Sequence, residues 1–197
     1  MTDTTTPARA LRAISDELRA AADAVVTTAD ADAAAGTGLD AVAALLDGAD
    51  RVFVHGAGRS GLALRMTAMR LMHLGRTVHV VGDVTTPAIR SGDVLLTASG
   101  SGTTTGIVRA ATTAREVGAR VAVITTVAAS PLADLADAVV LVPAPEKQAH
   151  GNGASIQYAG GLFEQVVVLV GDALFHAAWQ RSGIPAADLW PRHANLE

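Results

Sequence analysis

The chain has 197 residues, no cysteine and a net charge of −4, and half of its residues are apolar. This length predicts one domain with a full hydrophobic core. The acidic balance, without any basic run, argues against nucleic acid or an anionic membrane as a main partner. The missing cysteines exclude disulfides, thiolate nucleophiles and zinc–cysteine sites.

The N-terminal sequence and the apolar runs bear on localisation. Residues 1–7 lack the basic-then-apolar layout of a signal peptide. The richest apolar run, 166–170, is too short to span a bilayer. We therefore expect a cytoplasmic protein without a membrane partner.

Apolar residues at helical spacing predict a helix over 8–34, ended by Gly36 and Gly38, and a second helix over 39–46. Five valine-rich segments follow, over 51–55, 77–81, 93–98, 120–125 and 138–142. Helical or turn-rich stretches separate them, including a predicted helix over 107–117. Continuous apolar strands alternating with helices predict an α/β fold, a three-layer sandwich whose five-stranded parallel sheet carries helices on both faces. The flavodoxin-like strand order 2-1-3-4-5 would place strands one and three side by side.

For the last quarter of the chain, the sequence predicts a polar, flexible stretch over 143–155, a long helix over 156–181 and a short tail. We expect a single domain over 1–197, in which N-terminal helices occupy 1–50, the sheet core with its ligand loops 51–145, and the flexible loop, long helix and tail 146–197.

The segment 99–104 contains only Gly, Ser and Thr and joins a predicted strand to a predicted helix. A helix N-terminus directs unpaired N–H groups and the positive end of its dipole at one spot. Hydroxyls add neutral donors, and glycines allow close approach of the backbone. The segment therefore predicts a phosphate-binding loop, with the contacts expected from Ser99, Gly100, Ser101, Thr103 and Thr104.

A second loop, Gly56-Ala57-Gly58-Arg59-Ser60-Gly61, fits the pattern G-x-G-x-x-G after a strand and before a helix. Asp83 stands near the position of a ribose-binding acid, so nicotinamide binding is one interpretation. A purely structural turn is another. The second hydroxyl-rich loop favours a third, a phosphosugar site to which Gly58, Arg59 and Ser60 contribute. For Arg59 itself, a phosphate contact and a solvated residue at the start of a helix are equally good interpretations.

Both loops resemble those of the sugar isomerase (SIS) domain family of phosphosugar binders. The resemblance covers nearly the whole chain from about residue 10. The segments 70–75, 155–165 and 192–197 are similar to the hexuloisomerase branch of that family. Two departures concern sugar contacts: Thr103 stands where many relatives carry Glu, and 158–161 differs from a more usual Pro- and Ser/Thr-containing run.

The resemblance implies an enzyme that interconverts D-arabino-3-hexulose 6-phosphate and fructose 6-phosphate through an enediol. This reaction is the second step of formaldehyde fixation in the ribulose monophosphate pathway. A carbonyl shift between C3 and C2 needs a proton shuttle but no metal or redox cofactor, and we expect none. Glu164 is the expected base, because Gly160 and Gly161 leave room beside it; a solvated helix carboxylate is the alternative.

His193 is the expected acid–base partner, by analogy with related SIS isomerases, although it could also be a mobile tail residue. The long helix carries the chain about 25 Å away from Glu164. We therefore expect a homo-oligomer, a dimer or tetramer, whose active sites are shared and receive His193 from a neighbour. Lys147 and His150 could close over the site, but a solvated loop is the better interpretation. Another phosphosugar isomerase and a non-catalytic phosphosugar sensor remain as alternative functions.

Overall fold

The computed structural model describes residues 5–31, 38–145 and 155–196. Its elements in chain order are α1 (Pro7–Ala31), α2 (Leu39–Asp47), β1 (Val52–Gly56), α3 (Gly58–His73), β2 (Val78–Val80), β3 (Val94–Ala98), α4 (Thr105–Glu116), β4 (Arg120–Thr125), a 3-10 turn (Ala133–Leu135), β5 (Ala138–Leu141), α5 (Gly161–Ser182), α6 (Ala186–Leu189) and a second 3-10 turn (Trp190–Arg192).

The five strands form one parallel sheet in the order β2-β1-β3-β4-β5. The predicted fold class and strand order are confirmed. β3 lies at the centre and all five of its residues are buried, as its continuous apolar sequence requires. At the carboxyl edge of the sheet, Gly56 of β1 lies opposite Ala98 of β3. The two predicted ligand loops therefore begin on neighbouring strands.

Alternate residues of each strand enter two separate cores. Val54, Leu96 and Ile124 belong to the core on one face, which α1, α2, α3 and α5 cover. Phe53 and Leu95 belong to the core on the other face, which is covered by α4. The chain thus crosses to opposite faces after β1 and after β3, and this leaves a crevice between the two loops.

α5 begins at Gly161, five residues later than the sequence predicts. Ala159 and Gly160 have φ values of 48° and 83°, which are incompatible with a continuing right-handed helix. The preceding segment is instead bound to α1. The carboxylate of Glu17 accepts hydrogen bonds from the backbone N–H of Ile156 and the hydroxyl of Ser155, at 2.7 and 2.9 Å.

By length and composition alone, α5 could cross a membrane, contrary to the expectation from its short apolar runs. Its apolar residues Phe163, Val166, Val167 and Val170 are instead buried in the core on the α3 side of the sheet. The strong hydropathy of α5 therefore reflects a core helix that is contacted from several sides.

A close approach of α3 and α5 yields the first prediction. A Cβ on Gly171 would overlap the hydroxyl of Thr67 and lie 3.0 Å from the Thr67 Cβ. Gly171→Ala should therefore lower the free energy of unfolding by about 1–2 kcal/mol, because overpacking outweighs the gain in helix propensity. Urea unfolding followed by circular dichroism measures this change.

Two controls accompany this variant. Gly106→Ala, where a Cβ meets nothing within 4 Å, should be neutral or slightly stabilising. In the Gly171→Ala background, a second substitution, Thr67→Ala, should restore most of the lost free energy of unfolding, because it removes the obstructing hydroxyl. Equal stability of Gly171→Ala and Gly106→Ala would contradict the close approach.

Candidate active site

Two helix N-termini meet at the carboxyl edge of β1 and β3. α3 begins at Gly58 after a single extended residue, Ala57, and α4 begins at Thr105 after Thr104. Neither Ala57 nor Thr104 forms a side-chain cap hydrogen bond. Both helices therefore present first-turn N–H groups and positive dipole ends to the crevice between them. An anion is the ligand that such a crevice favours.

The loop 99–104 is folded by its own hydroxyls. Ser99 is buried, and its Oγ lies 3.1 Å from Oγ1 of Thr104. The Oγ of Ser101 accepts hydrogen bonds from the Thr103 hydroxyl and the Thr103 N–H, at 2.9 and 3.3 Å. The hydroxyls expected to contact phosphate are thus gathered in one turn. The exposed Thr103 side chain is turned onto Ser101.

The first glycine loop contains both structural and exposed positions. A Cβ on Gly61 would collide with the carbonyl oxygen of Gly56, so the third glycine of the motif is needed for strand–helix packing. Gly58 has a φ of 57° and faces open space, whereas Ser60 is buried in the first turn of α3. Asp83, the acid of the dinucleotide interpretation, pairs with Arg65 at 2.8 Å. These contacts explain Gly61 and Asp83 without a dinucleotide.

Glu164 lies in the first turn of α5 and is brought to the same edge by two contacts. Its carboxylate Oε2 accepts a hydrogen bond from Nε of Arg59, at 2.5 Å. The Glu164 side chain is 6% exposed and that of Arg59 66%. The preceding residue, Phe163, packs against Gly100, where a Cβ would lie 3.6 Å from the ring. The predicted base, the predicted phosphate loop and the start of α3 therefore form one cluster.

His193 lies far from this cluster in the same chain. Its exposed ring stacks on the buried ring of His73 with centroids 3.9 Å apart, and it also contacts Trp190. His73 ends α3, fourteen residues after Arg59, so the helical rise separates the two ends of α3 by about 21 Å. The structure thus separates His193 from Glu164 within one chain.

The tail is anchored at that distant end. Arg192 donates hydrogen bonds to the carbonyl oxygens of His73 and Asp188, at 3.3 and 3.2 Å. Its guanidinium also covers Gly75. Leu189 joins Leu74 and Ala178 in a small apolar cluster. His193 is therefore placed by the end of α3 and by the tail around it.

Two predicted loop residues, Lys147 and His150, lie outside the described residues. Glu17 was not predicted from the sequence. It binds the segment leading into Glu164, and no local pattern marks a contact across 138 residues.

Burial lowers the pKa of His73, and the neighbouring His193 and Arg70 lower it further. The neutral form of His73 is therefore favoured beside His193.

A cavity of about 340 Å³ lies elsewhere, on the α4 side of the sheet, and it is lined by Phe53, His55, Val81, Thr86, Pro87, Ile89, Leu95, Gly106, Arg109, Ala110 and Thr113. The predicted site residues are not among these. Within 5–31, 38–145 and 155–196, no group of three or more His, Asp or Glu side chains is placed to hold a metal ion. The cavity is therefore separate from the cluster of Glu164, Arg59 and the loop 99–104.

Comparison with known proteins identifies the family. The family model of the SIS domain matches residues 45–165, which include both loops, all five strands and Glu164. The chain belongs to the SIS domain family.

Two curated relatives and one solved structure are similar to this chain. A protein of Mycobacterium gastri named 3-hexulose-6-phosphate isomerase is 63% identical over 75% of this chain and 74% of its own length. A Bacillus subtilis protein of the same name is 37% identical over 75% of this chain and 80% of its own. A solved structure from Methanococcus jannaschii, described as inferring the same molecular function, has a TM-score of 0.79 and 25% identity. It covers 95% of this chain and 98% of its own.

The Arg59–Glu164 contact yields the second prediction. Arg59→Gln should leave the buried carboxylate beside a neutral amide and lower the free energy of unfolding by about 1 kcal/mol, since the exposed guanidinium is partly screened by solvent. Arg59→Lys, which keeps the charge, should lower the free energy of unfolding less. Chemical denaturation measures both variants.

A double-mutant cycle supplies the control. In a Glu164→Gln background, the Arg59→Gln change should hardly alter the free energy of unfolding, because the ion pair is already gone. Strictly additive effects of the two substitutions would show that the pair contributes nothing to stability.

Proposed function

We propose that the protein interconverts D-arabino-3-hexulose 6-phosphate and fructose 6-phosphate. The observation that carries this proposal is the buried Glu164 carboxylate beside a loop of Ser, Gly and Thr at two helix N-termini. The names of the relatives at 63% and 37% identity supply the substrate. The same reaction would place the protein in the ribulose monophosphate pathway of formaldehyde assimilation and in the cytoplasm.

The phosphate is proposed to bind in the crevice between α3 and α4. Ser99, Ser101 and Thr104 would donate hydroxyl hydrogen bonds from one side, and Ser60 from the other. The backbone at Gly58, Gly100 and Thr103 would allow or supply further N–H contacts. A phosphate dianion suits this place, because the two helix dipoles oppose its charge without any further basic side chain.

Glu164 is proposed to shuttle the proton. Its carboxylate takes the C2 proton of the 3-ketose while the C3 carbonyl becomes an enediolate oxygen. Glu164 then delivers a proton, exchangeable with solvent while it is held on the carboxylate, to C3. The proton of the C2 hydroxyl passes to the C3 oxygen, and the carbonyl forms at C2. Atoms and electrons balance without an oxidant. The Arg59 guanidinium, held against Glu164, would orient the carboxylate and oppose the negative charge of the enediolate.

His193 is proposed to serve a neighbouring subunit as the second acid–base group. About 21 Å of helix separates it from Glu164 in its own chain, which is too far for proton transfer. Fructose 6-phosphate closes a five-membered ring through its C5 oxygen, whereas the 3-ketose cannot close one through its phosphorylated C6 oxygen. His193→Ala should therefore slow the reaction from fructose 6-phosphate most, provided that ring opening limits its rate.

The direct test of the proposed function is a coupled assay. The purified chain is given 3-hexulose 6-phosphate, and fructose 6-phosphate is detected through glucose-6-phosphate isomerase and a dehydrogenase that reduces NADP. Turnover well above a no-enzyme control is the expected result. Turnover of a pentose or heptose phosphate alone would favour another SIS isomerase, and tight binding without turnover would favour a sensor.

The phosphate loop yields the third prediction. Ser99→Ala or Ser101→Ala should weaken binding of fructose 6-phosphate by roughly 10- to 150-fold, the equivalent of one lost charge-assisted hydrogen bond. Isothermal calorimetry measures the Kd. Thr112→Ala, which removes a hydroxyl bonded within α4 to the Val108 carbonyl, is the matched control and should leave the Kd unchanged. Unchanged binding in both serine variants would place the phosphate elsewhere.

The proton shuttle yields the fourth prediction. Glu164→Gln keeps the size of the side chain and removes the base, so kcat should fall by at least about 100-fold while ligand binding is largely kept. Mixing Glu164→Gln with His193→Ala subunits should restore part of the activity from fructose 6-phosphate that each variant lacks if sites are shared, because some sites then hold both wild-type residues. Confirmed subunit exchange without recovery would count against a shared site.

A further inference from the structure

The carboxylate of Glu17, on α1, binds three consecutive residues of the segment that leads into α5. Its Oε1 accepts a hydrogen bond from the backbone N–H of Ile156, at 2.7 Å. Its Oε2 accepts hydrogen bonds from the hydroxyl of Ser155 and the side-chain amide of Gln157, at 2.9 and 3.3 Å. Hydrogen bonds to a charged acceptor are stronger than those between neutral groups. A single side chain of α1 therefore fixes the approach to α5.

α1 gives Glu17 a fixed base. Ala21 and Val25 stand one and two turns after Glu17, on the same side of α1. Both are buried in the core on the α3 side of the sheet, together with Val166 and Val170 of α5. The carboxylate of Glu17 therefore extends from a packed side of α1, and the two helices that it connects share one apolar core.

A left-handed turn joins the bound segment to the first turn of α5. Its residues are Ala159 and Gly160, and for alanine this backbone conformation is unfavourable. Such a residue persists only where contacts on both sides hold the chain. On one side Glu17 holds 155–157, and on the other the N–H of Glu164 donates a hydrogen bond to the carbonyl oxygen of Gly160, at 3.2 Å. A displacement of 155–157 therefore reaches Glu164 through this turn.

The loop 99–104 is held by other contacts. The carbonyl oxygen of Gly100 accepts hydrogen bonds from the N–H and the hydroxyl of Thr126, at 3.1 and 2.8 Å. It also accepts one from the hydroxyl of Thr125, at the end of β4, at 3.1 Å. Removal of the Glu17 carboxylate should therefore displace the Glu164 side chain and leave the loop in place.

We propose that Glu17 is a positioning residue for the reaction: by binding 155–157 it sets where α5 begins, and it thereby directs the Glu164 carboxylate at the reacting carbons. The proposal rests on the proposed function, because it takes Glu164 as the group that moves the proton. Arg59 holds the same carboxylate from the side of α3. Glu17 itself does not fit the role of the base, since both of its oxygens already accept hydrogen bonds from protein groups.

Glu17 yields the fifth prediction. Glu17→Ala removes all three hydrogen bonds, so kcat for 3-hexulose 6-phosphate should fall roughly 10- to 100-fold, as expected for a misplaced reacting group. The Kd of fructose 6-phosphate and that of inorganic phosphate should stay within about 3-fold of the wild-type values, because other contacts hold the loop 99–104. Glu17→Gln keeps one acceptor oxygen and should lower kcat less. The coupled assay measures kcat, and isothermal calorimetry measures each Kd.

Asp16→Asn is the matched control. Asp16 is the neighbouring acid on α1, and its exposed carboxylate lies 3.9 Å from Arg19 of the same helix. The substitution removes the same charge from the same helix, so kcat should not change. Circular dichroism checks that each variant is folded at the assay temperature. A wild-type kcat in folded Glu17→Ala, an equal loss in Asp16→Asn, or a parallel loss of kcat and phosphate binding would overturn the proposal.

An exchange of two side chains tests the contact itself. Gln157→Glu alone places two carboxylates side by side, and their repulsion should lower kcat. In the double variant with Glu17→Gln, an amide and a carboxylate face each other again, so part of the lost kcat should return. Losses that simply multiply in the double variant would contradict the proposal.

Hydrogen–deuterium exchange separates this proposal from the proposed function, because it needs no substrate. In Glu17→Ala the amides of Ile156, Gly161 and Glu164 should exchange faster, whereas those of 99–104 should not change. Faster exchange, together with no turnover of 3-hexulose 6-phosphate by the wild-type protein, would reject the function and retain the link from Glu17 to Glu164. Full turnover by Glu17→Ala with unchanged exchange would retain the function and reject the positioning role.

Discussion

The ion pair between Arg59 and Glu164 joins the first turns of two helices that are 105 residues apart in the chain. α3 starts from β1, and α5 reaches the same edge through Phe163 against Gly100 and through the segment that Glu17 binds. These contacts hold the carboxylate beside the loop 99–104, where phosphate is proposed to bind. Positioning of this kind, more than any single hydrogen bond, makes a carboxylate useful as a base.

The same rigidity holds Glu164 and His193 apart within one chain. Two long helices, α3 and α5, run side by side and pack closely at Gly171 and Thr67. The far end of α3 lies about 21 Å and that of α5 about 27 Å from the Arg59–Glu164 pair. The tail is bound at those far ends through Arg192 and by the stacking of His193 on His73. This separation is the reason for the proposal that His193 serves the site of a neighbouring chain.

Features that depend on local sequence patterns were predicted, and features that depend on contacts between distant residues were not. β4 is observed at its predicted bounds, 120–125, and the strand order is the predicted one, because buried parallel strands are continuous apolar runs. The start of α5 was wrong by five residues, because the left-handed turn at Ala159 and Gly160 belongs to a segment bound by distant Glu17. The partnership of Arg59 with Glu164 was also missed, since neither position signals the other. The assignment of Glu164 and His193 to catalysis stays a prediction.

The central claim is that this chain moves a proton between C2 and C3 of a phosphohexulose, and isotope exchange tests it most directly. Fructose 6-phosphate is incubated with the purified protein in D₂O, and the position of deuterium is read by NMR. The account predicts deuterium at C3 of fructose 6-phosphate, and none with Glu164→Gln. Deuterium at C1 would instead indicate an aldose–ketose isomerase, and a pool left unlabelled by the wild-type protein would contradict proton transfer by this site.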